Sequence, residues 1–189
     1  YDCRPVPRTA EGIMTRGGQK PQEGPVATGK WLTASITEST AAVIGSVFDE
    51  AERRDREHQR PWVALVDGNN HQLDVITAEA ARREVNVTIV IDFIHVLTYL
   101  WKAAWTFFYP GDPDAEAWVT DQARKILEGK SAQVASGIRR RATRGAFSAA
   151  ERKGADACAD YLTAKKPYLD YPTALAKGWP IATGVIEGA

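Results

Sequence analysis

Two aspartates stand where two short apolar runs end. Trp62–Val66 reads WVALV and closes on Asp67, and Val87–Ile91 reads VTIVI and closes on Asp92. An acid at the exit of a buried strand lies at the sheet edge where α/β proteins place their chemistry. Carboxylate oxygens there suit a hard cation such as Mg2+. Each residue also has a plain reading. Asp67 precedes Gly68-Asn69-Asn70, which is turn chemistry. Asp92 opens an apolar helical pattern, a position where aspartate is favoured as N-cap. His95 lies in the first turn of that helix, on roughly the side of the cap. It reads as a packed or hydrogen-bonded histidine, or with Asp92 as a DxxH pair that holds a metal or orients a neighbour. Glu187, in TGVIEGA between Gly184 and Gly188, reads from its surroundings as a surface glutamate. The run IRRRATR, with Arg139, Arg140, Arg141 and Arg144, is either a solvated helix end or a phosphate-binding patch.

The elements that position these residues follow from hydrophobic pattern. Continuous apolar runs of branched residues suit strands buried on both faces. Between them, Leu73–Glu84 has helical character, giving strand, helix, strand. Upstream, Tyr1–Thr9 reads as the end of an edge strand, because its prolines exclude a central one. Ala10–Lys30 lacks periodicity and reads as an exposed loop, and Trp31–Thr37 has strand composition. Ser39 or Thr40 caps a helix to about Glu57 with a solvated, charged second half. Downstream, the helix from Asp92 to about Tyr109 is apolar on nearly every side, so it is buried or docked against a partner. Pro110–Pro113 breaks it. Helices follow at Asp114–Gly129, at Ser131–Thr143, and from a Ser148 cap to about Lys166, then a short helix-and-loop segment at Tyr168–Trp179 and a tail at Pro180–Ala189. The expectation is an α/β front half and an all-helical back half.

The totals exclude more than they specify. The 189 residues carry 24 basic and 24 acidic side chains, so a nucleic-acid surface has to be a local patch. The two cysteines, Cys3 and Cys158, support neither a disulfide framework nor a cysteine-rich zinc site, and fit a reducing compartment. No run reaches transmembrane length and no signal peptide is visible. P-loop, GxSxG, HExxH and GxGxxG patterns do not occur.

Three segments carry a resemblance: VALVDGNNHQLDVI, TIVIDFIHVLTYLWKAAW and KKPYLDYPTALAKGWPIATGVIEGA. Together they resemble the ISKra family of bacterial insertion-sequence transposases, most specifically in DFIHVLxYLW and GWPIATGVIEGA. The family is similar to Mutator-type transposases and to the RNase H-like fold with an Asp-Asp-Glu (DDE) triad. The resemblance implies an RNase H-like mixed sheet with flanking helices in residues 1–109, lacking its first strand. It also implies a helical insertion over 110–180 and the start of the catalytic-glutamate helix over 181–189. Asp67 matches the second acid and Glu187 the glutamate, both as metal ligands; Asp92 and His95 match a supporting (C/D)xxH position. The family's first aspartate lies upstream of Tyr1, so the chain is expected to be a fragment with little activity of its own.

For the complete protein the resemblance implies two Mg2+ or Mn2+ ions activating the attacking oxygen and stabilising the leaving oxygen. The chemistry is cleavage of insertion-sequence ends and strand transfer into target DNA. DNA, bound in part by Arg139, Arg140, Arg141 and Arg144, and further copies of the chain are the expected partners, with no membrane, in a cytoplasmic, nucleoid-associated location. Two alternatives stand beside it. One is a non-catalytic transposase remnant that binds DNA or a partner through the basic helix end and the aromatic helix. The other is an unrelated α/β metal-dependent phosphatase or nuclease that uses Asp67 and Asp92.

Overall fold

The two apolar runs form a parallel pair. In a computed structural model, which describes residues 1–15 and 20–183, β3 (Trp62–Val66) pairs with β4 (Val87–Ile91) in register, Trp62 opposite Val87 and Val66 opposite Ile91. The crossover between them is α3 (Asn70–Arg82), capped by Asn69, whose side chain accepts from the Gln72 amide. Leu73 and Ile76 of α3 pack with Val66 and with Ile44 and Phe48 of α2 (Thr40–Arg54), forming a small core over the sheet. The molecule is thus mixed α/β and rich in helix.

The larger core belongs to the helical half. It is organised around α4 (Phe93–Phe107), whose Phe93, Val96, Leu100, Ala103 and Ala104 are fully buried. Burying an apolar side chain of Val, Leu or Phe size contributes about 1.5–3 kcal/mol, so this stripe is the main anchor of the fold. Around it pack α5 (Pro113–Leu127), α6 (Ser131–Arg144) and α7 (Lys153–Ala164). Small residues set the closest approach: at Gly154 of α7 an added Cβ would stand 2.2 Å from the Lys102 carbonyl of α4. A 3-10 turn (Lys166–Tyr168) and α8 (Tyr171–Ala176) complete this half.

The N-terminal segment is more ordered than its composition predicts. β1 (Asp2–Cys3) pairs antiparallel with β2 (Ala27–Thr28), as an edge strand. Within the stretch expected to be loop, α1 (Ala10–Ile13) forms on a Thr9 cap and buries Ile13. The backbone amides of Val6 and Arg8 donate to the carbonyls of Gly178 and Leu175, which fastens this segment to the end of α8. Gly178 has φ +70, and a Cβ there would meet the Val6 nitrogen at 2.4 Å.

Several expectations are corrected. Trp31–Thr37 forms no strand, and Leu32 and Ile36 are fully open to solvent; strand-forming residue types have no edge to pair with there. The charged end of the helix starting at Thr40 is only partly solvated. It stops at Arg54, and Asp55 is buried, accepting from the indole Nε1 of Trp62 and from two backbone amides. Ser148 and Glu151 do form a capping box, with the Ser148 amide and hydroxyl donating to the Glu151 carboxylate. One further turn separates it from the regular helix at Lys153. The all-round apolar α4 is not covered everywhere, since Ile94 and Trp105 stay exposed. Among the described residues no helix is long and apolar enough to cross a membrane.

Candidate functional site

The parallel register brings Asp67 and Asp92 to neighbouring strand exits, and the ladder continues past the last paired residues through the Asp92 amide, which donates to the Val66 carbonyl at 2.7 Å. The two carboxylates are used very differently. Asp67 is exposed. Its Oδ1 accepts from the Asn69 amide at 2.8 Å, closing an Asx turn, while Oδ2 has no partner among the described residues. Gly68, at φ +88, makes the turn possible: a Cβ there would lie 2.9 Å from Cδ1 of Ile91 and 3.0 Å from the Tyr161 hydroxyl. The turn reading and an available carboxylate therefore hold together at Asp67.

Asp92 is only 3% exposed and fully committed. Its Oδ1 accepts from the Ile94 amide at 2.8 Å, the cap expected at this position. Its Oδ2 accepts from the Thr183 amide at 2.9 Å and from the Thr183 hydroxyl. The neighbouring Phe93 amide donates to the Ile181 carbonyl at 2.8 Å. The tail Ile181–Thr183 is thereby laid against the exit of β4. His95 is exposed, and its backbone amide donates to the Asp92 carbonyl at 3.0 Å. Its imidazole makes no hydrogen bond or ion pair among the described residues. Glu187 lies outside the described residues.

Two tyrosines from the helical half hold the strand ends, and sequence reasoning missed both. Tyr161 of α7 donates its hydroxyl to the Asp67 carbonyl at 3.2 Å and stacks on Tyr99 of α4, ring centroids 3.9 Å apart. Tyr171, fully buried, donates to the Ile91 carbonyl at 2.8 Å and meets Phe93 edge-on. Burial pushes both phenols above the usual tyrosine range, with Tyr99 and then Asp67 adding to the effect at Tyr161. Both hydroxyls therefore stay protonated donors. Lys165, buried at the end of α7, reaches the Asn70 side chain at the start of α3. Lys165 and Tyr171 lie within KKPYLDYP, but nothing in the pattern named their partners, and Tyr161 lies upstream of that segment.

Neither cysteine offers a nucleophile beside this site: burial pushes the Cys158 thiol up to about 12, and desolvation raises Cys3 as well. No family model, curated protein or solved structure matches this chain. The ligand set for a metal is incomplete among the described residues. No group of three or more His, Cys, Asp or Glu side chains stands close enough to hold an ion there, Asp92 has no free oxygen, and Asp67 alone presents one.

The four arginines named from the sequence separate into two classes. Arg139 donates to the Asp160 carboxylate at 2.7 Å, so its charge is already paired. Arg140, Arg141 and Arg144 line one cleft and have no acidic partner among the described residues. Arg141 lies over the rings of Phe107 and Phe108, 4.4 and 4.5 Å from their centroids. The basic run is not a uniformly solvated helix end.

Proposed function

We propose that the chain is the catalytic-domain segment of a DDE-type insertion-sequence transposase of RNase H-like architecture, as its resemblance to the ISKra family implies. One observation carries the reading: at adjacent exits of a parallel pair, Asp67 keeps an exposed carboxylate while Asp92 fixes the tail that leads in sequence to Glu187. β3 pairs only with β4 among the described residues.

In this reading Asp67 and Glu187 would hold two divalent ions, which when bound would supply Lewis-acid activation at the scissile phosphate. Asp67 contributes its unshared oxygen, and the Asx turn and Tyr161 fix the carboxylate's backbone. Asp92 positions; it does not ligate. His95 stands exposed beside it, able to donate or accept a hydrogen bond toward DNA. Substrates are the element's ends and target DNA, and the protein works as a multimer in the bacterial cytoplasm.

The test uses the complete protein and a DNA duplex carrying the element's terminal sequence. Asp67→Asn and Glu187→Gln each lower Mg2+-dependent cleavage by at least about 100-fold, since even partners of metal ligands commonly cost 10–100-fold. Cleavage retained by either variant sinks the triad assignment.

A second reading, a transposase remnant that binds DNA without cutting it, draws on the three unpaired arginines of α6. It predicts DNA binding that needs no divalent ion in a protein that never cleaves.

A further inference from the structure

We infer that the cleft at the C-terminal end of α6 is a DNA-backbone site, in which Arg140, Arg141 and Arg144 take phosphate oxygens. The cleft has a volume of about 500 Å3, within the range of specific ligand pockets. The choice of DNA as the polyanion rests on the DNA-processing reading above.

The charge pattern is the first argument. Many arginines of this neutral chain are paired with carboxylates: Arg53 and Arg54 with Glu50, Arg82 and Arg83 with Glu79, Arg152 with Asp156. Arg8 and Arg124 are instead spent on backbone carbonyls. One residue upstream of the cleft trio, Arg139 is consumed by Asp160. Arg140 and Arg141, with Arg144 one turn on, have no acidic partner among the described residues and line one concavity, an unspent positive field. Guanidinium groups match phosphate through paired N–H donors.

The cleft is also built. The Arg141 guanidinium carbon lies over the Phe107 and Phe108 rings and 5.8 Å from the Trp118 centroid. Such contacts contribute about 0.5–2 kcal/mol and help to hold the side chain at the cleft that it lines. Gly145 lets Phe147 fold back on the helix end, since a Cβ there would meet the Phe147 ring at 2.3 Å. Ala146, at φ +52, takes the left-handed turn that this return requires. Gly137 leaves the floor clear, with nothing within 4 Å of where its Cβ would be.

Position is the third argument. Phe107 ends the helix that Asp92 begins, so at 1.5 Å per residue the cleft lies about 20 Å from the acids. That spacing is ~6 nucleotides along a strand at 3.4 Å each. Lys102, exposed on the same helix between the two ends and lying over Tyr99, has no acidic partner among the described residues. Backbone contacts of this kind fix register and orientation and leave the bond-breaking to another site.

The experiment measures binding of the 189-residue chain to a fluorescent 20-base-pair duplex, without divalent ions, over a range of salt. Arg140→Gln/Arg144→Gln is expected to weaken binding at low salt by about tenfold and to reduce the slope of log K against log salt by about 1.8, at roughly 0.9 per phosphate released. Arg139→Gln, already paired, is expected to change neither. Binding is read without divalent ions, so loss of cleavage and loss of binding report on separate claims. Circular dichroism melts confirm that each variant folds. An unchanged slope in the double variant, an equal loss in Arg139→Gln, or tighter cleft-dependent binding to phosphatidylserine vesicles than to the duplex would each overturn the inference.

Discussion

The exits of β3 and β4 are adjacent, parallel and closed by the same residue type, yet the two corners have opposite characters. At β3 the aspartate is exposed, bound through one oxygen to the turn that follows it, and succeeded by Gly68 at φ +88, a conformation that favours glycine. At β4 the aspartate is buried, caps the central helix and grips Thr183 with its second oxygen. The difference arises from the helix that each strand leads into. Asn69-Asn70 starts a crossover helix on the outside of the small core, whereas Phe93 starts the helix that runs through the large one. An acid at the head of a core helix is drawn into structure, and its unburied neighbour stays available for a ligand.

The largest effect that breaks this comparison is expected at β4. Asp92→Ala removes the α4 cap and strands the Thr183 amide and hydroxyl, a loss of about 2–4 kcal/mol in urea unfolding. Asp67→Ala, changing an exposed side chain, should fall within about 0.5 kcal/mol of the parent. Equal losses at both positions would erase the distinction. A smaller effect sharpens the β3 corner: Gly68→Ala, strained at φ +88 and pressed on Ile91 and Tyr161, should cost about 1–3 kcal/mol. A Gly68→Ala melt unchanged from the parent would mean that the corner is not held as described.

How much of this was legible in the sequence differs between the halves. β3, α3, β4 and α4 announce themselves through unbroken branched runs and a helical stripe, and both aspartates' local roles follow from turn and cap chemistry. The Trp31–Thr37 misreading has the reverse cause: β-type side chains without a paired edge make no strand, and pairing is not a local property. α1 was invisible because four residues are too short for periodicity. Tertiary partners were the main omission. Asp92 with Thr183, Tyr161 with the Asp67 carbonyl and Tyr171 with the Ile91 carbonyl join residues 80 to 94 positions apart. Nor does IRRRATR reveal which arginine is paired, because Asp160 of the next helix decides it.

The most direct test of the division between the two corners is a pair of double-mutant cycles read by urea unfolding, with Thr183→Val as the shared partner. Asp92→Ala and Thr183→Val are predicted to couple by about 1–2 kcal/mol, as contacting groups in one network do. Asp67→Ala and Thr183→Val are predicted to add within about 0.5 kcal/mol. Coupling of Thr183 to Asp67 instead, or to neither aspartate, would contradict the assignment of Asp92 as the anchor of the tail and Asp67 as the free acid.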